Sequence, residues 1–246
     1  MTLPLIPDAS FPPGRLDPCF CGSGERFKHC CGSNDSNRKP PFGIGILENY
    51  LSAAECREWL DLIATLETDP YKMRNPDGTV VLDPTRVCDR VVFGDKQSLL
   101  DSLVARAWQD VIIPAAGIPI AWYEEPQLLK YSQGGFYQYH ADNGYLVIQE
   151  KAWRKAVDRD VSMLIYLTGD FEAGELHFNR FNYFLKPQAG MLVWFPSDMR
   201  YQHSARPVAS GTRYAIVSWA AMADIERVQD ARTTRAIDWL TREKNP

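Results

Sequence analysis

The sequence predicts a mainly β domain of the α+β kind, a sandwich or barrel with supporting helices, preceded by a small metal-clipped module. Three observations carry this prediction. After Pro126, short apolar runs at 161–167, 190–196 and 213–219 alternate with Gly-, Asp- and Ser-rich turns, the pattern of many short strands. Before them, two segments carry apolar residues at helical spacing. Near the N-terminus, Cys19, Cys21, Cys30 and Cys31 crowd into thirteen residues.

Composition narrows the classes. The chain has 246 residues, 45% of them hydrophobic, enough for one sizeable domain with a small appendage. A net charge of −4 gives no basic footprint for nucleic acid or an anionic membrane. The first residues, MTLPLIPDASFPPG, lack a basic n-region and a long apolar h-region. No apolar run approaches the roughly 18 residues of a membrane span. The expectation is a soluble, cytoplasmic, bacterial protein with no nucleic-acid or membrane partner.

Residues 1–16 are Pro-rich and irregular. In Asp17-Pro18-Cys19-Phe20-Cys21-Gly22-Ser23-Gly24, followed by Cys30-Cys31, two thiol pairs flank a turn that lets a short chain reverse. Four thiolates close a tetrahedral zinc site, and so short a segment cannot bury a core without metal. Without a secretion signal the cluster reads as a metal site, not a disulfide framework. The run D-P-C-x-C-G-S-G-x-x-x-K-x-C-C resembles the SEC-C zinc motif, found at the end of the bacterial preprotein-translocase ATPase. The resemblance implies structural Zn(II) and a protein-docking element. With the polar, Pro-rich linker that follows, it sets a first unit at 1–40.

The main domain is expected over 41–221. Residues 44–47 read as a strand. Ser52 and Glu55 form a capping box, and Cys56, Trp59, Leu60, Ile63 and Leu66 follow at helical spacing, so a helix is predicted over 53–67. Residues 69–95, punctuated by prolines and Asp77-Gly78, read as loops with one or two strands. A second helix fits 96–113, with Pro114 ending it. Strands follow at 128–131 and beyond a Gly134-Gly135 turn. The basic stretch 143–160 reads as a solvated surface loop, or else as a loop over a site mouth that meets an acidic or peptide substrate. The strand at 161–167 leads through a turn at 169–174 to a short strand at 175–178. Strands at 190–196 and 213–219 complete the β pattern. Residues 222–246 are expected to form a helical extension, docking through Ile225, Val228, Ile237 and Leu240.

Within this frame His140-Ala141-Asp142 is an H-x-D pair. On a strand, residues two apart share a face, so an imidazole and a carboxylate lie side by side. They are two of the three ligands of the 2-His-1-carboxylate triad of non-haem Fe(II), and His203 can supply the third. Arg213 shares a face with Ala215, Val217 and Trp219. A guanidinium among small and apolar residues needs a partner, and a bound carboxylate would satisfy it in bidentate fashion.

These residues resemble the Fe(II)/2-oxoglutarate dioxygenases of the prolyl-4-hydroxylase type over most of the chain. The Leu51-Ser52-Ala53-Ala54-Glu55-Cys56 helix start resembles the family's opening segment. Tyr131, Gly135, His140 and Asp142 match its Y…G…H-x-D signature. Residues 173–178 are similar to its G-G-x-[TL]-x-F turn, with Ala173 for the first glycine. His203 and Gly211-Thr212-Arg213-Tyr214 match its closing segment, with Arg213 where many members have lysine.

The resemblance implies a double-stranded β-helix, or jelly roll, with helices behind the larger sheet. It implies that His140, Asp142 and His203 hold Fe(II), and that Arg213, helped by Tyr166 and faced by Tyr131, binds 2-oxoglutarate. It further implies O2 as oxidant, release of succinate and CO2, and ascorbate as reductant. The expected reaction is hydroxylation of a C–H bond on a prolyl or other side chain of a protein. The alternatives are the same chemistry on a free amino acid or small metabolite, or an inactive zinc-dependent adaptor. His177 is expected to have no ligand role, and Trp194 and Trp219 are expected in the core. For the cysteine cluster, elemental analysis of the Cys30→Ser/Cys31→Ser double variant should show loss of stoichiometric zinc. Unchanged zinc content removes that site.

Overall fold

The computed structural model of the chain describes residues 14–19, 24–30, 32–33, 39–74, 78–150, 152–229 and 232–239. Strand β1 (Gly45–Leu47) leads into helix α1 (Ala53–Ile63). Both halves of the capping box form: Ser52 Oγ accepts the Glu55 N–H at 3.2 Å, and Glu55 Oε2 accepts the Ser52 N–H at 2.8 Å. The helix stops four residues short of the predicted 67. A turn takes over, in which Thr65 Oγ1 donates to Leu62 O at 2.7 Å, and Leu66 still packs on the core.

Where one or two strands were expected, five short ones follow: β2 (Thr68–Pro70), β3 (Lys72–Arg74), β4 (Val80–Leu82), β5 (Arg86–Val87) and β6 (Asp89–Val91). Most lack an apolar run of their own, and their partners impose the extended form. The second helix also departs from expectation. It consists of α2 (Gln97–Arg106), a π-helical turn (Ala107–Ile112) and a last turn, α3 (Ile113–Ala116). Pro114 does not end it, because it occupies the first turn of α3, where its missing N–H is not needed. Gly117, at φ 62°, ends it and donates its N–H to Ile113 O at 2.9 Å.

Strands β7 (Ile120–Glu124), β8 (Gln127–Tyr131) and β9 (Phe136–His140) come next. The stretch read as a surface loop contains a hairpin, β10 (Gly144–Val147) and β11 (Ala152–Lys155). Then come β12 (Val161–Tyr166), β13 (Glu172–Ala173), β14 (Leu176–Phe178), β15 (Tyr183–Leu185), β16 (Leu192–Pro196), β17 (His203–Ala205), β18 (Val208–Ser210), β19 (Arg213–Met222) and β20 (Ala236–Asp238). Among the described residues, the expected C-terminal helix is replaced by turns and β20. The free edge of β7 takes up β20, and the Asp158 carboxylate accepts the Val228 and Gln229 N–H groups. Ile237 packs on the core from this strand, Val228 is exposed, and Leu240 lies outside the described residues.

The larger sheet has the order β1-β16-β12-β19-β8-β6-β2, with β7 on the far half of β19 and β20 outside it. The smaller runs β15-β14-β17-β9-β5. Every pairing is antiparallel, and the two sheets enclose side chains between them as a jelly roll with the helices behind the larger one. Strict alternation sorts the side chains of β12 and β19. Met163, Ile165, Ile216 and Ala220 join Leu100, Leu103, Val104 and Trp108 of the helices in one core. Burying each large side chain there contributes about 1.5–3 kcal/mol. Val193, Phe195, Phe178 and Tyr183 build a second core between the sheets. Cys19 is buried in this same cluster, with Phe27 and Cys30 packed against it. Cys21 and Cys31 lie outside the described residues. Among the described residues, no helix is long and apolar enough to cross a membrane.

The loop before β16 approaches α1 through bare backbone. Gly190, at φ 83°, accepts the Leu51 N–H at 3.1 Å, and a Cβ on it would sit 2.0 Å from Leu51 O. Gly190→Ala should therefore cost about 1–3 kcal/mol or more. A urea melt that leaves the midpoint unchanged would refute this.

Candidate active site

His140 ends β9 and His203 opens β17, and the two residues face each other directly across the antiparallel pair. This register brings together imidazoles far apart in sequence, with ring centroids 4.4 Å apart. Asp142 lies just past β9 and not on it, as the strand reading had placed it. Its N–H and that of Asn143 both donate to Ser197 O, at 3.1 and 3.2 Å, and this turns the carboxylate back toward the histidines. His140 Nε2 is 3.3 Å from Asp142 Oδ1, and His203 Nε2 is 3.7 Å from Oδ2. One donor atom from each residue falls within 4.8 Å of the others, as binding a single ion requires.

The surroundings set the protonation that a cation needs. Each histidine places Nδ1 on the carbonyl two residues earlier, Gln138 O at 2.8 Å and Tyr201 O at 3.0 Å. That bond puts the proton on Nδ1 and leaves the Nε2 lone pair facing the centre. Burial lowers His203 to about 4, with the nearby His140 adding to it and Asp142 opposing, so its imidazole is neutral near pH 7. Burial alone would raise Asp142, but the His203 and His140 imidazoles and the Ser162 hydroxyl hold it well below the usual carboxylate range. Ser162 Oγ donates to Asp142 Oδ2 at 2.6 Å and also meets Ser197 Oγ at 2.7 Å. Two imidazoles with Nε2 turned inward and an ionised carboxylate suit a divalent first-row metal such as Fe(II).

The donors open into a cavity floored by alternate residues of three neighbouring strands. Arg213, Ala215, Val217 and Trp219 of β19 line it, as do Ser162, Leu164 and Tyr166 of β12 and Gln127, Leu129 and Tyr131 of β8. Register aligns them in rows, Arg213 beside Tyr131, Tyr166 beside Ala215, and Ser162 beside Trp219. Arg213 and Trp219 thus mark two ends, about 20 Å apart along the strand. Trp219, expected in the core, lines the cavity, because the inner face of β19 borders this space. Trp194 packs on the helix-side core.

Arg213 is 2% exposed. Nη1 donates to Gly174 O at 2.7 Å, and the guanidinium lies 4.0 Å from the Tyr131 ring centroid, but Nη2 has no hydrogen-bond partner. A buried unpaired cationic donor is costly, so the cavity end fits a carboxylate ligand. The turn that presents Gly174 O is tight: Ala173 and Gly174 have φ of 57° and 67°. Burial pushes the Tyr166 phenol up to about 12 and raises Tyr131 as well, keeping both protonated. Tyr131 is buried in one cluster with Cys88. His177 is apart from the donor set, stacked on Phe184 at 3.8 Å and hydrogen-bonded to Tyr139.

Among the lining residues not singled out from sequence are Arg159, Arg86 and Ser162. Arg159 lies 3.9 Å from the Trp219 ring centroid and pairs with buried Glu124, Nη2 to Oε2 at 2.8 Å. Arg86, paired with buried Asp83 at 2.6 Å, lies beside Tyr71 and Tyr137. The period-2 pattern of β12 could have found Ser162. The Asp83–Arg86 pair is three residues apart and carries no sign of the cavity, and nothing local marks Arg159, whose partner Glu124 arrives from β7.

Residues 126–221 match the profile of the 2OG-Fe(II) oxygenase superfamily, and residues 17–33 match the SEC-C motif. A PKHD-type hydroxylase of Pseudomonas fluorescens is 29% identical over 154 residues, covering 60% of this chain and 66% of that protein. Prolyl 3-hydroxylase 2 of Gallus gallus is 30% identical over 112 residues, covering 40% of this chain. The chain thus spans just under two thirds of the bacterial relative and 16% of the avian one. Among solved structures, the viral collagen prolyl hydroxylase of Paramecium bursaria Chlorella virus-1, in complex with 2OG, has TM-score 0.51 at 16% identity, covering 72% of this chain and 95% of that one. A Trichoplax adhaerens prolyl hydroxylase, in complex with a hypoxia inducible factor peptide fragment, has TM-score 0.51 at 20% identity, covering 73% of this chain and 83% of that one. At these identities the structural likeness speaks for the fold.

Ser162 orients the carboxylate of the donor set. Ser162→Ala should weaken divalent-metal binding by about tenfold, as loss of an outer hydrogen bond typically does. Calorimetric titration with Mn(II) measures it, and wild-type affinity would show that the hydroxyl has no such role.

Proposed function

From the prolyl-4-hydroxylase-like 2OG-Fe(II) dioxygenase domain that this chain carries, we propose that it hydroxylates a C–H bond on a protein or peptide side chain, a prolyl ring foremost, consuming 2-oxoglutarate and O2 and releasing succinate and CO2. One observation carries the reading: a single cavity holds three convergent donor atoms and a buried guanidinium short of a partner. His140, Asp142 and His203 would hold the iron. Arg213 would take the distal carboxylate of 2-oxoglutarate through Nη2, in an orientation set by Gly174 O and the Tyr131 ring. Tyr166, kept protonated, can donate its phenolic hydrogen to the same carboxylate. Bound iron and co-substrate supply the oxidising power for the C–H bond, and the protein binds, orients and excludes water.

The substrate side of the cavity supports an uncharged target. Both guanidiniums there, Arg86 and Arg159, are already neutralised by Asp83 and Glu124. What they present is flat surface beside Tyr71, Tyr137 and Trp219, suited to a saturated ring more than to an acidic side chain. This weighs against the acidic-substrate reading of the 143–160 stretch, whose Lys155 is likewise paired, with Asp160 at 2.8 Å. Relatives named as prolyl hydroxylases, and a structural neighbour in complex with a peptide fragment, support the protein or peptide class. The proposal includes Zn(II) at Cys19, Cys21, Cys30 and Cys31, a protein-docking role for that module, ascorbate as reductant and a cytoplasmic location. The SEC-C match supports its zinc part.

Purified protein given Fe(II), 2-oxoglutarate and a proline-bearing peptide should release succinate and add one oxygen atom to the peptide, and His140→Ala should do neither. Equal output from both proteins ends the proposal. Arg213→Met should raise the KM for 2-oxoglutarate at least tenfold, about 1.4 kcal/mol of binding, without weakening metal binding.

A further inference from the structure

The two histidines of the donor set are held in different ways. His203 is enclosed by the inter-sheet core, its ring 4.8 Å from Phe195 and 5.8 Å from Phe178 between centroids. His140 sits nearer solvent, with its side chain 18% exposed, and its Nδ1 hydrogen bond to Gln138 O does not by itself fix the plane of the ring. The remaining constraint comes from a stack of flat groups. The Tyr137 ring lies on the His140 imidazole, centroids 3.7 Å apart and planes 21° apart. The Arg86 guanidinium carbon is 4.0 Å from the Tyr137 centroid and 3.9 Å from that of Tyr71. Arg86 is itself anchored: Nε donates to Asp83 Oδ2 at 2.6 Å, and Asp83 Oδ1 accepts the Thr85 N–H at 2.9 Å.

We propose that Arg86 is a positioning residue for the metal ligand His140, acting through Tyr137. The flat guanidinium holds the Tyr137 ring by cation–π contact, and that ring in turn fixes the plane of the imidazole. Fixing the plane aims Nε2 at the metal, the task that an outer hydrogen-bond partner performs elsewhere. The stack begins at the stem of the β3–β4 hairpin, because Tyr71 directly precedes β3 and Asp83 directly follows β4. The hairpin and the metal ligand are thus joined through side chains.

The inference rests on His140 being an iron ligand, and the test separates the two. Full-length protein whose cysteine cluster has first been filled with Zn(II) is titrated with Co(II), without peptide, and followed by visible absorption. Wild type should bind one ion at the centre; if it binds none, the iron reading fails. Arg86→Met should bind about tenfold more weakly with an altered Co(II) spectrum. Arg86→Lys should do the same, because a point charge does not stack as a planar fork does. Tyr71→Leu, which removes only the outer end of the stack, should lose about twofold to threefold. Wild-type Co(II) affinity and spectrum in Arg86→Met, with only the KM for peptide raised, would overturn the positioning role. Should Arg86→Met not fold, Tyr71→Leu decides alone, and unchanged Co(II) binding overturns the proposal.

Discussion

The architecture depends on the alternation of one strand. β19 is ten residues long and central to the larger sheet, with β12 on one side and β8 and β7 on the other. Ile216 and Ala220 face the helices, while Arg213, Ala215, Val217 and Trp219 face the other sheet and line the cavity. A slip of one residue would place the guanidinium among Leu100, Leu103 and Trp108 and the isoleucine in the cavity. The apolar demand of the helix side therefore sets the register that aims the polar side chains at the site.

A second constraint is charge. The site region holds several ionised groups, and most are tolerated through a specific partner. Arg159 pairs with Glu124, Arg86 with Asp83, and Asp142 accepts the Ser162 hydroxyl. The compensation leaves two sets of atoms unspent, Nη2 of Arg213 and the inward Nε2 atoms of the histidines. They lie in one cavity, and a dicarboxylate bound to a cation would meet both.

The N-terminal module is less separate than its sequence suggests. Cys19 is buried within the cluster that contains Phe178, Phe195 and Tyr201, and the Tyr201 hydroxyl donates to Phe42 O at 2.7 Å. Tyr201 O in turn accepts Nδ1 of His203. Cys19, Phe27 and Cys30, of a segment read from composition as an appendage, thus pack on the wall behind one of the histidines.

Much of this protein was legible in its sequence wherever the signal was local. The Ser52–Glu55 capping box, the Gly134 turn and the shared face of Arg213, Ala215, Val217 and Trp219 all follow from spacing, because helix and strand periods act within a few residues, whereas Asp142 lies past its strand and reaches His140 through a turn held by Ser197. Other features depended on partners distant in the chain. Short strands such as β2 and β20 carry little apolar pattern and are extended because a neighbouring edge supplies hydrogen bonds. Pro114 stays helical because a π turn shifts the register before it. Trp219 looked like core because alternation tells that a face is buried and not whether packed side chains or a cavity lies against it. Glu124, the partner of Arg159, and Ser162, the partner of Asp142, come from other elements, and only the tertiary fold brings them within hydrogen-bonding reach.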